Sequence, residues 1–176
     1  WVKNSFNAIL THSEFEVKAV NFSAYGASFV YLDEKGKVVL PLYNYLKPYP
    51  EHLQKQFYQT YGGESQLAKQ TASPVLGSLN SGMQVYRIKQ EKPELFSKIK
   101  YALHLPQYLS YILGGVAATD ITSIGCHTNL WHFQSNKYHP WVKEEGIEEK
   151  FAPLKDGTTI AAKNGKVQVG IGLHDS

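Results

Sequence analysis

Strand-like and helix-like stretches take turns along this chain, and that interleaving favours an α/β lobe. WVKNSFNAIL opens it, with Trp1, Val2, Phe6, Ile9 and Leu10 near one face of a helix over 1–11. EVKAVNFSA, ASFVYLDE and KVVLPLY then read as strands, the second and third joined by a tight turn at Glu34-Lys35-Gly36. PEHLQKQFYQTY reads as a helix, with proline in its first turn and Gly62-Gly63 as its stop. Across 78–99 the spacing is helical, and Pro93 ends one helix and starts a shorter one. KYALHLP reads as a short strand, QYLSYILGG as a short helix halted by glycines, and HPWVKEEGI as a helix opened by Pro140. Residues 119–135 are ambiguous between the two periods. TTIAAKNGKVQVGIGL closes the pattern as a strand, an Asn164-Gly165 turn and a final strand.

Composition narrows the function classes. A chain of 176 residues is one domain's worth, enough to bury roughly 70% of its unfolded surface. With 43% hydrophobic and 19% charged residues it belongs with soluble globular chains. The net charge is only +3, and lysines alternate with acids, as in Lys143, Glu144, Glu145, Glu148, Glu149 and Lys150. No basic stripe forms, so no nucleic-acid partner is expected. Cys126 stands alone, which rules out an internal disulfide framework and fits a reducing, cytoplasmic setting. No run approaches the ~18 apolar residues of a membrane span and no secretory leader is present, so no membrane partner is expected. The chain opens on a helix with no capping residue before Trp1 and stops just after a strand, so both ends read as cut from something longer.

Asp175 is the residue placed best for chemistry. Ligands of open α/β sheets bind beyond the carboxyl ends of strands, and Gly170 and Gly172 would let backbone and ligand approach there. A carboxylate in that position could take a proton from an attacking hydroxyl; the other reading is a surface aspartate in a turn. At period two, His174 faces away and is not expected to pair with Asp175. In NFSAYGASFVYLDEKG, small residues surround Tyr25, which suits either a ligand-binding corner or an ordinary tight connection. His127, His132, His139 and Cys126 lie close in sequence, but at intervals that match neither HExxH nor paired C-x-x-C, so no metal site is expected. Tyr43, Tyr45 and Tyr49 could form a stacking platform for a sugar, or bury their rings at element edges.

Five passages, in order, are similar to motifs of the FGGY carbohydrate kinases, ATP-dependent sugar kinases of the actin and hexokinase superfamily. Ser23-Ala24-Tyr25-Gly26-Ala27-Ser28 before FVYLDEKGK stands for a Ser-Gly-Gln-x-His-Gly turn and its strand. Tyr43-Asn44-Tyr45-Leu46-Lys47 stands for Trp-Asn-Asp-x-Arg. Pro93-Glu94-Leu95-Phe96, Leu105-Pro106-Gln107-Tyr108-Leu109, Leu113-Gly114-Gly115 and Thr119-Asp120 follow in register. Gly172-Leu173-His174-Asp175-Ser176 resembles the closing Gly-x-x-Asp motif.

The resemblance, nearest to the rhamnulose and fuculose kinase branch, implies an α/β lobe of ribonuclease-H-like type. Residues 1–176 would be part of the N-terminal sugar-binding domain, lacking its first strands with their Asp-x-Gly-Thr turn and the C-terminal nucleotide-binding domain. It makes Asp175 the general base for ATP-dependent phosphorylation of a sugar hydroxyl. Sugar contacts would come from Ser23, Tyr25, Asn44, Tyr45, Asn80 and Ser176. ATP and Mg²⁺ would serve the full-length protein and be held largely outside this chain, which alone is expected to be inactive. Its partners would be the sugar and the missing lobe, with homo-oligomerisation left open. The rival readings are a non-catalytic carbohydrate-binding domain and an actin-like scaffold. Tyr25 and Ala27 replace the turn's glutamine and histidine, Tyr45 an aspartate, Gln107 another aspartate, and Ile124-Gly125 an Ala-Ser pair. A less polar sugar, such as a deoxyketose, would suit these changes.

Overall fold

A computed structural model describes residues 1–175; Ser176, one of the candidate sugar contacts, lies outside the described residues. In chain order the elements are α1 (Val2–Leu10), β1 (Ala19–Val20), β2 (Ser23–Ala24), β3 (Phe29–Leu32), α2 (Glu51–Thr60), α3 (Glu64–Thr71), α4 (Ser81–Glu91) and α5 (Pro93–Lys98). Then come β4 (Tyr101–His104), α6 (Leu105–Gly114), α7 (Ile121–Ile124), β5 (Trp131–His132), β6 (Lys137–Tyr138), α8 (Pro140–Glu144), β7 (Ile160–Asn164), β8 (Val167–Gly170) and β9 (Leu173–His174).

β7 and β8 form the hairpin around Asn164-Gly165, and β1 adds parallel to β8, giving the order β1-β8-β7. Apolar side chains of this sheet meet α1 and α6 in a cluster of Phe6, Leu113, Val167 and Val169. Just beyond, β2 pairs parallel with β9. Between the two ladders the register slips: Val20 faces Val169, but Ser23 faces Leu173. One extra residue is therefore accommodated on the later strand, at Ile171-Gly172, as in a bulge. Gly172 has φ +88 there, and its N–H donates to Asn21 Oδ1 at 2.8 Å.

The larger core lies under α2, α3, α4 and α8. Trp141, Phe57 and Tyr86 are essentially fully buried, and the Phe57 ring meets Trp141 edge-on at 4.9 Å. Trp141 Nε1 donates to Asn129 O at 2.7 Å, so the indole brings no unpaired donor into the interior. Helix α4 is buried over nearly all of its first two turns, so its sequence shows no clean amphipathic stripe.

Three sequence expectations change. The strand expected over KVVLPLY shrinks to one bridge, Val38 with Leu32. Asp33 Oδ1 collects the N–H groups of Lys35 and Lys37, fixing the turn, but Pro41 offers no N–H to continue a ladder. β3 instead takes β4 as its antiparallel partner. The strand expected over EVKAVNFSA is cut into β1 and β2 by Asn21-Phe22. Helix α3, absent from the elements expected from sequence, begins directly after Gly62-Gly63, both at positive φ. The ambiguous 119–135 stretch holds α7, capped by the Asp120 side chain, and β5.

Candidate active site

The pairing of β2 with β9 sets Ser23 and Ala24 alongside Leu173 and His174, and Tyr25 and Asp175 each come next along the chain after the last pair. Asp175 follows the last strand residue, and its side chain is half exposed. Tyr25 is exposed too, with its ring 5.6 Å from that of Tyr45 and tilted by 54°. The loop carrying Tyr45 is tied to the same turn, since Ser28 Oγ donates to Tyr43 O at 3.0 Å. Asn44 Oδ1 accepts the Leu46 N–H at 2.9 Å, so that oxygen closes its own loop. Tyr25, against Tyr45, and Asp175 thus both follow the last pair of the β2–β9 ladder, while Ser23 stands in its first pair and Asn44 lies beside Tyr45 in its loop.

Asn80 does not join them. It is fully buried; its Oδ1 accepts the Leu76 N–H, and its Nδ2 donates to Pro74 O and His127 O. The amide holds loops together rather than facing a ligand.

His174 behaves differently from the period-two expectation. Its Nδ1 lies 3.6 Å from Asp175 Oδ1. Strict alternation lapses here because β9 ends at His174, leaving Asp175 free of ladder geometry. The imidazole, mostly buried, presses on Gly26: a Cβ there would stand 2.1 Å from His174 Cδ2. Gly26 is therefore the seat of His174, a role that only the folded chain reveals.

Behind them sits His104, fully buried, with Nε2 2.9 Å from Ser81 Oγ and its ring 3.9 Å from that of Phe29. Burial, with a smaller push from His174, lowers its pKa to about 3. The buried His139 is lowered to about 4, again mainly by burial and then by His132. Unfolding restores both to near 6.5, so below that pH the unfolded chain binds more protons and stability falls. The expected result is a urea midpoint that is flat above about pH 7 and declines as pH drops toward 4. His104→Asn should flatten the decline; an unchanged slope would remove His104 as its source.

The backbone just before Asp175 is gripped from α6 and α7. Gln107 Nε2 lies 2.6 Å from Gly172 O and 2.9 Å from both Asp120 Oδ1 and Ser123 Oγ, sharing two hydrogens among three oxygens. Asp120 Oδ2 accepts the N–H and hydroxyl of Thr122, and the Thr122 oxygen accepts the His174 N–H at 3.0 Å. The sequence motifs contain Gln107 and Asp120 without assigning them a task, and Thr122 lies outside them. Asp120 ahead of Ile121-Thr122-Ser123-Ile124 is the available signal, a helix N-cap residue type. The glycines also differ from expectation. A Cβ at Gly172 would lie 2.2 Å from Pro106 O, and one at Gly170 would lie 2.6 Å from Asn21 Cγ. They admit neighbouring chain, not ligand.

The histidines weighed as metal ligands have other tasks. His127 Nδ1 meets Ala72 O, His132 Nδ1 meets Ser135, and His139 Nε2 meets Gln70 Oε1. Among the described residues no three His, Cys, Asp or Glu side chains converge on a cation site, and no helix is long and apolar enough to cross a membrane.

Comparison with known proteins bears on this arrangement. The profile of the FGGY family of carbohydrate kinases, N-terminal domain, matches residues 2–174. A rhamnulokinase of Bacillus subtilis is 26% identical over 145 residues, which is 81% of this chain and 28% of that protein. The crystal structure of a carbohydrate kinase from Novosphingobium aromaticivorans superposes with a TM-score of 0.85 at 25% identity, covering 99% of this chain and 38% of that one. Plasmodium falciparum glycerol kinase, solved with ADP, shares the fold with a TM-score of 0.80 at 15% identity, over 99% of this chain and 37% of its own. The chain thus spans well under half the length of these relatives. With a family match running almost from end to end on a mixed α/β lobe of actin-like fold, the chain belongs to the FGGY family of carbohydrate kinases and corresponds to their N-terminal domain.

Proposed function

We propose that this chain is the sugar-binding part of an ATP-dependent carbohydrate kinase and that Asp175 is its general base. The single observation that carries this is the β2–β9 register, which delivers a half-exposed carboxylate and the Tyr25 turn to the same edge. In the reaction, the sugar O–H bond breaks as an Asp175 oxygen takes the proton. The freed oxygen pair bonds to the γ-phosphorus, and the bond from that phosphorus to ADP breaks. The residues described here do not converge on a Mg²⁺ site, and no step is assigned to them through the metal. We infer that nucleotide and Mg²⁺ are held largely by sequence outside residues 1–176, in keeping with the 28% and 38% of its relatives that this chain spans.

The Tyr25–Tyr45 pair favours a sugar with an apolar face. The test is sugar-dependent ADP release by the intact protein that carries this chain, with L-rhamnulose, L-fuculose and D-xylulose. The 6-deoxyketoses should give the higher kcat/KM. A preference for D-xylulose would refute the aromatic-wall reading, and no turnover of any sugar would refute the kinase reading in favour of a carbohydrate-binding domain.

A further inference from the structure

We propose that Thr122 is a positioning residue for Asp175: its hydroxyl couples the Asp120 cap to the last strand and fixes where the carboxylate points. This rests on Asp175 being the base. It goes further in naming the contact that sets its geometry.

β9 is only two residues long and Asp175 lies beyond it, so the ladder alone leaves the carboxylate poorly anchored. The strand is instead held on both sides of Leu173. Gln107 takes the Gly172 carbonyl, and Thr122 takes the His174 N–H. Leu173 itself donates its N–H to Phe22 O at 2.9 Å, so both peptide groups flanking Leu173 are tied down shortly before Asp175.

Both grips converge on one buried carboxylate. Asp120 is fully buried and collects Gln107 Nε2 and the Ser123 N–H on Oδ1, and the Thr122 N–H and hydroxyl on Oδ2. The Thr122 hydroxyl therefore donates to Asp120 at 2.5 Å while accepting from His174 at 3.0 Å. Donating to a carboxylate polarises the oxygen and strengthens it as an acceptor. Thr122 is exposed and Asp120 is not, so the hydroxyl carries a buried anchor out to the surface where Asp175 stands.

Catalysis by a general base depends on angles and distances at the reacting proton. Removing a contact that only orients the base should lower kcat and leave KM alone. Thr122→Val keeps the shape and the backbone N–H that Asp120 caps, and deletes only the hydroxyl. The expected loss in kcat is about tenfold, the scale of one positioning hydrogen bond, with KM within about twofold. Thr122→Ser should restore kcat, because it returns the hydroxyl without the methyl group.

A second measurement needs no turnover. Amide exchange of His174 in the 176-residue chain should accelerate about tenfold in Thr122→Val and recover in Thr122→Ser, while Leu173 stays protected. Unchanged His174 exchange, a serine variant that behaves like valine, or a change in KM instead of kcat would each overturn the proposal. An Asp175→Asn protein with full activity would instead defeat the general-base reading on its own, whatever Thr122 does.

Discussion

Asp175→Asn is expected to lower kcat for the proposed sugar phosphorylation by the intact protein about a hundred- to ten-thousand-fold, the usual contribution of one general base. Asparagine keeps the size and a hydrogen-bonding oxygen but cannot hold the hydroxyl proton, so the loss isolates proton acceptance from packing. Sugar affinity should change little, because in the proposed site the sugar's other contacts would come from the 23–28 turn and the Tyr45 loop. Stability should also hold. The side chain is half exposed, and it stands 3.6 Å from His174 Nδ1, longer than a hydrogen bond. The decisive readings are sugar-dependent ADP release and the urea midpoint of each protein. Retention of more than a tenth of wild-type kcat, with the fold intact, would take Asp175 out of the chemistry.

Gly172→Ala is expected to damage the fold and the site together. At φ +88 any side chain is strained, a cost of about 1–3 kcal/mol. The new Cβ would also stand 2.2 Å from Pro106 O, a backbone atom at the start of α6 that cannot rotate away. Either α6 moves or the bulge does, and each displaces Gln107 from the Gly172 carbonyl. Gly165→Ala is the control: it has φ +60 but nothing within 4 Å of its Cβ, so it feels strain without collision. Gly172→Ala should lower the urea midpoint clearly more than Gly165→Ala does and reduce kcat as well. Equal losses in the two variants would mean that the Pro106 contact constrains nothing.

Much of the outline was legible before any coordinates. Pro93 splits α4 from α5, Gly62-Gly63 stops α2, and Asn164-Gly165 turns β7 into β8, each because local backbone chemistry decides it. The order of motifs pointed to the family that the comparison then showed. Less visible was the internal geometry of the last strand. Val167, Val169, Ile171 and Leu173 read as one uninterrupted alternation, and nothing in that pattern announces an extra residue between the pairs Val20–Val169 and Ser23–Leu173.

The candidate site divides along the same line. Asp175 and Tyr25 could be chosen from sequence because they sit at a strand end and in a turn of small residues. Asn80 could not be excluded, since burial depends on loops 74–76 and 127 closing over it. By itself the sequence determined the α/β alternation, the turns at Gly36 and Asn164-Gly165, the proline and glycine helix boundaries, and the family, the structural ones because neighbours along the chain set them. Only the tertiary structure decided that His174 rests on Gly26, that Gln107 and Thr122 grip the final strand, and that Asn80 is structural. Apart from Asn80's bonds to Pro74 and Leu76, those are contacts between residues dozens to more than a hundred positions apart, and their geometry is set by packing, which no local period encodes.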